Sequence, residues 1–233
     1  MTGGAEPQNL ILMVMLYLKY NMNKSWLEHY RSEYYELLSP EVSGAKRLLV
    51  EGIYKRAIGF DIMFRLLLNQ RRENFSIIET GTLRTPGNWK DGQSAALFTE
   101  FVDWHGGQMR SVDIDPEAVA AARGHITSNR FSVTCSDSVA WLESLTDRDQ
   151  VDLYYLDSWD VKWHDDTDSA DHHLKEFLAI EPHLKSGCIV AIDDNSRWYA
   201  NNRRTGKGRA VVEYLETKNH LPIYDEYQII FQF

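Results

Sequence analysis

The chain has 233 residues, a formal net charge of −9, 43% hydrophobic residues and 25% charged residues. That length and balance suit one α/β unit with a large core, and exclude a disordered, fibrous or disulfide-stapled chain. The acidic surplus, with no long Lys/Arg-rich block, argues against nucleic acid or another polyanion as partner.

Asn9 to Leu18 is strongly apolar but too short to span a bilayer. No basic segment precedes it and no small-residue cleavage site follows, so the expectation is a buried or dimer-covering helix and no membrane partner. Helical spacing continues with few breakers: helices are expected over 8–20, 24–38 and 43–70. Leu48, Leu49, Ile53, Ile58, Ile62, Leu66 and Leu67 form the apolar stripe of the third. Residues 1–74 therefore read as a helical extension of one unit, and 75–233 as its main domain.

After Asn74 the pattern becomes strand then helix. Strands are expected over 75–80, 109–114, 131–135, 151–157 and 187–193. Helices fill 93–105, 116–128, 138–145 and 169–184. A last helix over 208–219 precedes a closing hairpin of 222–225 and 227–233. Such alternation predicts a Rossmann-like α/β fold: a mostly parallel sheet, helices on both faces, the last strand antiparallel. Cys135 and Cys188 both fall in apolar strand-like runs and are expected to be buried, unpaired thiols, as in a reducing, cytoplasmic setting.

Ligands in open α/β sheets bind beyond the carboxyl ends of the strands, and four candidate elements fall there. The first is Ile77-Ile78-Glu79-Thr80-Gly81-Thr82, with Asp91-Gly92-Gln93-Ser94 opening the next helix. Gly81 permits close backbone approach to a ligand, and the N–H groups around Ser94 suit a carboxylate or phosphate. The three-glycine dinucleotide pattern is absent, which weighs against NAD. The second is Ser111-Val112-Asp113-Ile114-Asp115-Pro116, where Asp113 can accept both hydroxyls of a ribose while Asp115 caps the following helix. The third is Ser136-Asp137-Ser138, which can bind an adenine amino group, with Trp141 packing on the ring, or can serve as an ordinary helix cap.

The fourth joins Asp157, closing Val151-Asp152-Leu153-Tyr154-Tyr155-Leu156-Asp157, to Asp193 and Asp194, closing Cys188-Ile189-Val190-Ala191-Ile192-Asp193-Asp194. Converging carboxylates repel unless a cation or protons neutralise them. They are expected to hold a divalent metal through oxygen ligands; the alternative is capping or pairing with Arg197. His164 and His173 are candidate general bases, with Asp160 and Lys162 as rivals. Arg203, Arg204, Lys207 and Arg209, interleaved with Gly206 and Gly208, read either as a flexible loop for an anionic substrate or as a solvated loop.

In this order and spacing the elements resemble the class I S-adenosylmethionine-dependent methyltransferases, over about Phe75 to Phe233. The resemblance implies a seven-stranded sheet with the last strand antiparallel, and S-adenosyl-L-methionine as cofactor. Glu79-Thr80-Gly81 stands as the first glycine motif, with Thr82, Ser94, Asp113, Ile114, Ser136, Asp137, Ser138 and Asp157 as cofactor contacts. Leu156-Asp157-Ser158-Trp159 and Ala191-Ile192-Asp193-Asp194 look like the metal ligands of magnesium-dependent O-methyltransferases of the catechol and macrolide-sugar kinds. This implies Mg2+ (or Mn2+ or Ca2+) at Asp157, Asp193 and Asp194, and a small-molecule or glycan acceptor such as a nucleotide-linked deoxysugar. Two departures stand out: a longer loop from Thr82 to Asp91, and Asp160 where the catechol enzyme has its catalytic lysine. The competing readings are an N-methyltransferase of nucleic acid or protein, a non-methylating metal enzyme on the same scaffold, and a binding domain without catalysis.

Overall fold

A computed structural model describes residues 26–38, 47–89, 93–198 and 203–233. The expected helix over 8–20 and the apolar stretch Asn9–Leu18 lie outside them. Helix α1 covers 26–33 and gives way to turns over 34–38. Helix α2 covers Arg47–Asn69. Then follow β1 (Phe75–Thr80), α3 (Ser94–His105), β2 (Gly107–Asp113), α4 (Pro116–His125), β3 (Phe131–Cys135), α5 (Ser138–Ser144), β4 (Leu153–Leu156), α6 (Thr167–Ile180) and β5 (Ile189–Ile192). The chain closes with β6 (Asn195–Trp198), β7 (Arg203–Gly206), α7 (Arg209–Glu216), β8 (Tyr224–Asp225) and β9 (Ile229–Gln232).

Seven strands form one sheet in the order β3-β2-β1-β4-β5-β9-β8, with β6 and β7 as a separate two-stranded ribbon. The first five pair in parallel, and β9 runs antiparallel to β5. This is the expected Rossmann-like architecture. Strand order reverses between β1 and β4, so the crevice beyond Thr80 and Leu156 is the topological switch point, where such sheets bind ligands.

The central strands are apolar throughout because both faces are covered. In β4, Leu153 and Tyr155 join the core under α1, α2 and α3, while Tyr154 and Leu156 join the opposite core under α6 and α7. The face of α2 differs from the expected stripe. Ala57, Phe60, Met63, Phe64 and Leu67 are buried, whereas Ile58 is exposed. Large aromatic rings choose the packed side: Phe60 stacks on Tyr155 at 5.6 Å and Phe64 on Phe101 at 5.0 Å.

Two further expectations change. Cys135 is exposed and only Cys188 is buried, because Cys135 ends β3, the edge strand of the sheet. Arg203–Gly206, expected as part of a loop, is instead strand β7, paired antiparallel with β6. Among the described residues no helix is long and apolar enough to cross a membrane.

Candidate active site at the carboxyl edge of the sheet

Gly81 leaves β1 at φ +82°, and its N–H bonds the Val112 carbonyl at 2.8 Å. A Cβ there would lie 2.6 Å from the Asp157 carbonyl oxygen. The loop thus lies flush against the end of β4, a fit open to glycine alone. Asp113 ends β2 half-buried. Its carboxylate accepts from Thr82 N at 3.1 Å and Asp115 N at 2.9 Å, which fixes it beside Gly81. Ile114, next in sequence, is 71% exposed, an apolar face left open beside that carboxylate. The buried Thr82 hydroxyl has no hydrogen-bond partner among the described residues. An orphaned hydroxyl, a glycine turn and a held carboxylate suit a nucleoside-bearing cofactor.

Glu79 is buried behind this turn and accepts from Ser111 Oγ at 2.8 Å. Burial raises its carboxyl to about 8, against the pull of Ser94 and Ser111. Beyond β3, Asp137 caps α5 by accepting from Ala140 N at 2.9 Å, and Asp115 caps α4 through Glu117 N at 2.8 Å. Ser136 N bonds the Asp113 carbonyl at 3.0 Å, so the second and third elements meet. Trp141, half-buried, packs against the core under α6 and α7.

The expected bases differ in setting. Asp160 is exposed and bonded to Arg84 at 2.9 Å. His164 is exposed. His173 is fully buried on α6, with Nδ1 on the Ser169 carbonyl at 2.7 Å, and burial lowers it to about 4, leaving it neutral. Its neighbour His172 bonds Ser138 Oγ at 2.9 Å. Glu176, which sequence reasoning passed over, ties the elements together by accepting from Thr80 Oγ1 at 3.0 Å and Ser158 Oγ at 2.6 Å.

The three acids expected to hold a metal do come together, and each meets a protein cation. Arg56 of α2 reaches Asp193 Oδ2 at 2.9 Å. Lys207 touches Asp157 Oδ1 and lies 2.9 Å from Asp194 Oδ2. The Tyr227 hydroxyl donates to Asp194 Oδ1. Burial works to lower Lys207, but Asp157 and Asp194 reverse the sign and hold it protonated. A magnesium ion takes six near-octahedral ligands. Among the described residues, no group of three or more His, Cys, Asp or Glu side chains is arranged to hold a metal ion. The buried Asp193 Oδ1 lacks a hydrogen-bond partner, while Asp157 Oδ1, Asp193 Oδ2 and both Asp194 oxygens are taken by Lys207, Arg56 or Tyr227. As arranged, the residues do not fit a divalent ion.

Neither cation was paired with these acids from sequence, for identifiable reasons. Arg56 falls on the buried stripe of α2, four residues before Phe60, and a charge on an apolar stripe was the available signal. Lys207 sits between Gly206 and Gly208 in what reads as a solvated loop. Two other loop cations do not wait for an anion: Arg204 pairs with Asp225, and Arg209 with Asp166 at 3.1 Å.

Residues 89–195 match a family model described as a methyltransferase domain. No curated protein matches the sequence. Among solved structures, the MycE methyltransferase from the mycinamycin biosynthetic pathway, in complex with Mg and SAH, aligns with a TM-score of 0.53 at 15% identity. The alignment covers 88% of this chain and 54% of MycE, so the chain spans about half the length of that protein. A second MycE complex, with Mg, SAH and mycinamycin VI, aligns equally. Magnesium protoporphyrin IX methyltransferase (ChlM) from Synechocystis PCC 6803, with bound SAM, aligns at a TM-score of 0.45 and 12% identity over 99% of this chain and 98% of that one. The matched segment is thus similar to a methyltransferase domain, and the sheet order with the MycE alignment shows the Rossmann-like methyltransferase fold.

Proposed function

We propose that the protein transfers the methyl group of S-adenosyl-L-methionine to a hydroxyl of a small-molecule acceptor, a sugar or glycan first among them. One observation carries the reading: at the switch point, the Gly81 turn, the held Asp113 carboxylate and open Ile114 adjoin the carboxylates of Asp157 and Asp194. When bound, the cofactor supplies a methyl group on a sulfonium sulfur that leaves as a neutral thioether. Asp113 would hold the ribose hydroxyls, Ile114 would pack on the adenine, and Thr82 and the start of α3 at Ser94 would receive the amino-acid end.

The acceptor side follows from exposure. Asp157 and Asp194 keep 16% and 24% of their side chains open, above a Lys207 that is 1% exposed. Their oxygens can accept hydrogen bonds from an acceptor hydroxyl and take its proton as the methyl–oxygen bond forms. The acids Asp157, Asp193 and Asp194 already take up both cations, Lys207 and Arg56, which favours a neutral acceptor over an anionic one. Trp159 and Trp163, both exposed just past Asp157, add flat apolar surface of the kind sugars stack on. The magnesium in the MycE crystals belongs to that protein, and no step here passes through a metal.

The test is transfer of labelled methyl from S-adenosyl-L-methionine to a panel of sugars and small alcohols, read by mass spectrometry. A product heavier by one methyl on oxygen is expected. Methyl found on nitrogen of a peptide or nucleic acid, with none on the sugar panel, would overturn the acceptor assignment.

A further inference from the structure

Asn195 and the run from Gly206 to Arg209 are built around one buried ammonium. Gly206, at φ +113°, has no room for a Cβ, which would fall against the Asp194 carbonyl and 2.8 Å from Asn195 Cα. Gly208 is closed in likewise, with Asn195 Oδ1 2.9 Å from its Cβ position. Asn195 clips the two sides together: its Nδ2 donates to the Ile192 carbonyl at 2.8 Å, and its Oδ1 accepts from Gly208 N at 2.7 Å. Asp166 anchors the far side, accepting from Gly206 N at 2.8 Å and from Arg209 at 3.1 Å. These contacts drive Lys207 down between the ends of β4 and β5, where its Nζ meets Asp157 and Asp194. Arg56 arrives from α2 on the opposite side and meets Asp193.

We infer that the Lys207 ammonium is the resident cation of this edge, standing in place of a divalent metal, so that Asp157 and Asp194 are held in position with no metal ion bound. This goes beyond the methyl-transfer reading and can fail independently of it. An ammonium makes a different centre from a divalent ion. It carries one charge instead of two and offers three donors with no vacant ligand position. It therefore steadies the carboxylates but cannot draw two acceptor oxygens into one coordination shell. Lys207 is a positioning residue, acting through Asp157 and Asp194.

The test is uptake of Mn2+ alone, followed by electron paramagnetic resonance on the full chain, beside calorimetry of S-adenosyl-L-methionine in excess EDTA. Wild type should leave the free Mn2+ signal undiminished. Lys207→Met leaves the acids with Arg56 alone among the described residues and should take up about one Mn2+ per chain, while Lys207→Arg, which keeps the charge, should take up none. Should Lys207→Met fail to fold, wild type still decides. Uptake by wild type that Asp157→Asn abolishes overturns the inference, as does a folded Lys207→Met that takes up no Mn2+. Uptake that Asp157→Asn leaves intact lies elsewhere and supports an edge closed to metal. Failure of cofactor to bind in EDTA counts against the methyl-transfer reading, whereas Mn2+ uptake lost in Asp157→Asn counts against the resident ammonium.

Discussion

Strand β4 is flanked by an aspartate at each end, and the two are solvated in opposite senses. Asp152, on the amino side, is fully buried. It takes Ser76 N at 2.9 Å and the surface cations Arg72 and Lys185, the latter at 2.7 Å. Those cations keep 38% and 26% of their side chains in water. On the carboxyl side the order inverts at Lys207, which is 1% exposed while Asp157 and Asp194 stay partly open, and the Arg56–Asp193 pair behind it is buried on both sides. Acid within and base outside neutralises a buried carboxylate and fastens a strand. Base within and acid outside presents carboxylate oxygens to a ligand. Burial of charge alone does not separate the two edges; which partner is left open does.

The contrast sets the largest expected effect. Lys207→Met strands the partly buried carboxylates of Asp157 and Asp194 and should cost about 3–5 kcal/mol in urea unfolding. Lys185→Met leaves Asp152 with Arg72 and Ser76 N, and should cost about 1 kcal/mol. Equal losses would break the comparison. Gly206→Ala should cost roughly 2 kcal/mol or more, since a positive φ and a blocked Cβ site act together; a melting temperature within a degree of wild type would contradict the packing described.

Much of this was legible in the sequence, for a physical reason. Strands buried on both faces read as apolar runs and their helices as 3.6-residue stripes, so the parallel series and its antiparallel close could be placed from Phe75 onward. Gly81, Asp113 and the acids at Asp157, Asp193 and Asp194 were visible because they stop those runs. The counter-ions were not, because each comes from an element distant in sequence: Arg56 lies 137 positions from Asp193, and Lys207 lies 50 from Asp157. The ribbon β6–β7 was hidden too, its residues Asn195-Ser196-Arg197-Trp198 lacking any apolar alternation. A metal was the economical way to balance three acids in sequence; the fold supplies lysine and arginine instead.

Smaller effects sharpen the picture. Glu79 keeps its proton in the fold to about 8, against an ordinary 4.5. The unfolded chain releases that proton first as pH rises, so this group lowers stability progressively from about 4.5 to about 8, with a limiting slope near 1.4 kcal/mol per pH unit. Glu79→Gln should flatten the fall in wild-type stability across that window, measured by denaturant unfolding at several pH values; parallel curves would show an ionised Glu79. Smallest of all, Asp160→Ala and His164→Ala, at exposed positions, should shift stability by no more than about 0.5 kcal/mol and leave transfer intact.

The site assignment itself is tested most directly by calorimetry of S-adenosyl-L-methionine against wild type and Asp113→Ala in metal-free buffer. The account predicts one cofactor per chain for wild type and an affinity lower by about 10–100-fold for the variant, the loss of hydrogen bonds to a charged acceptor. Binding of equal strength in both proteins, or none to wild type, would contradict it.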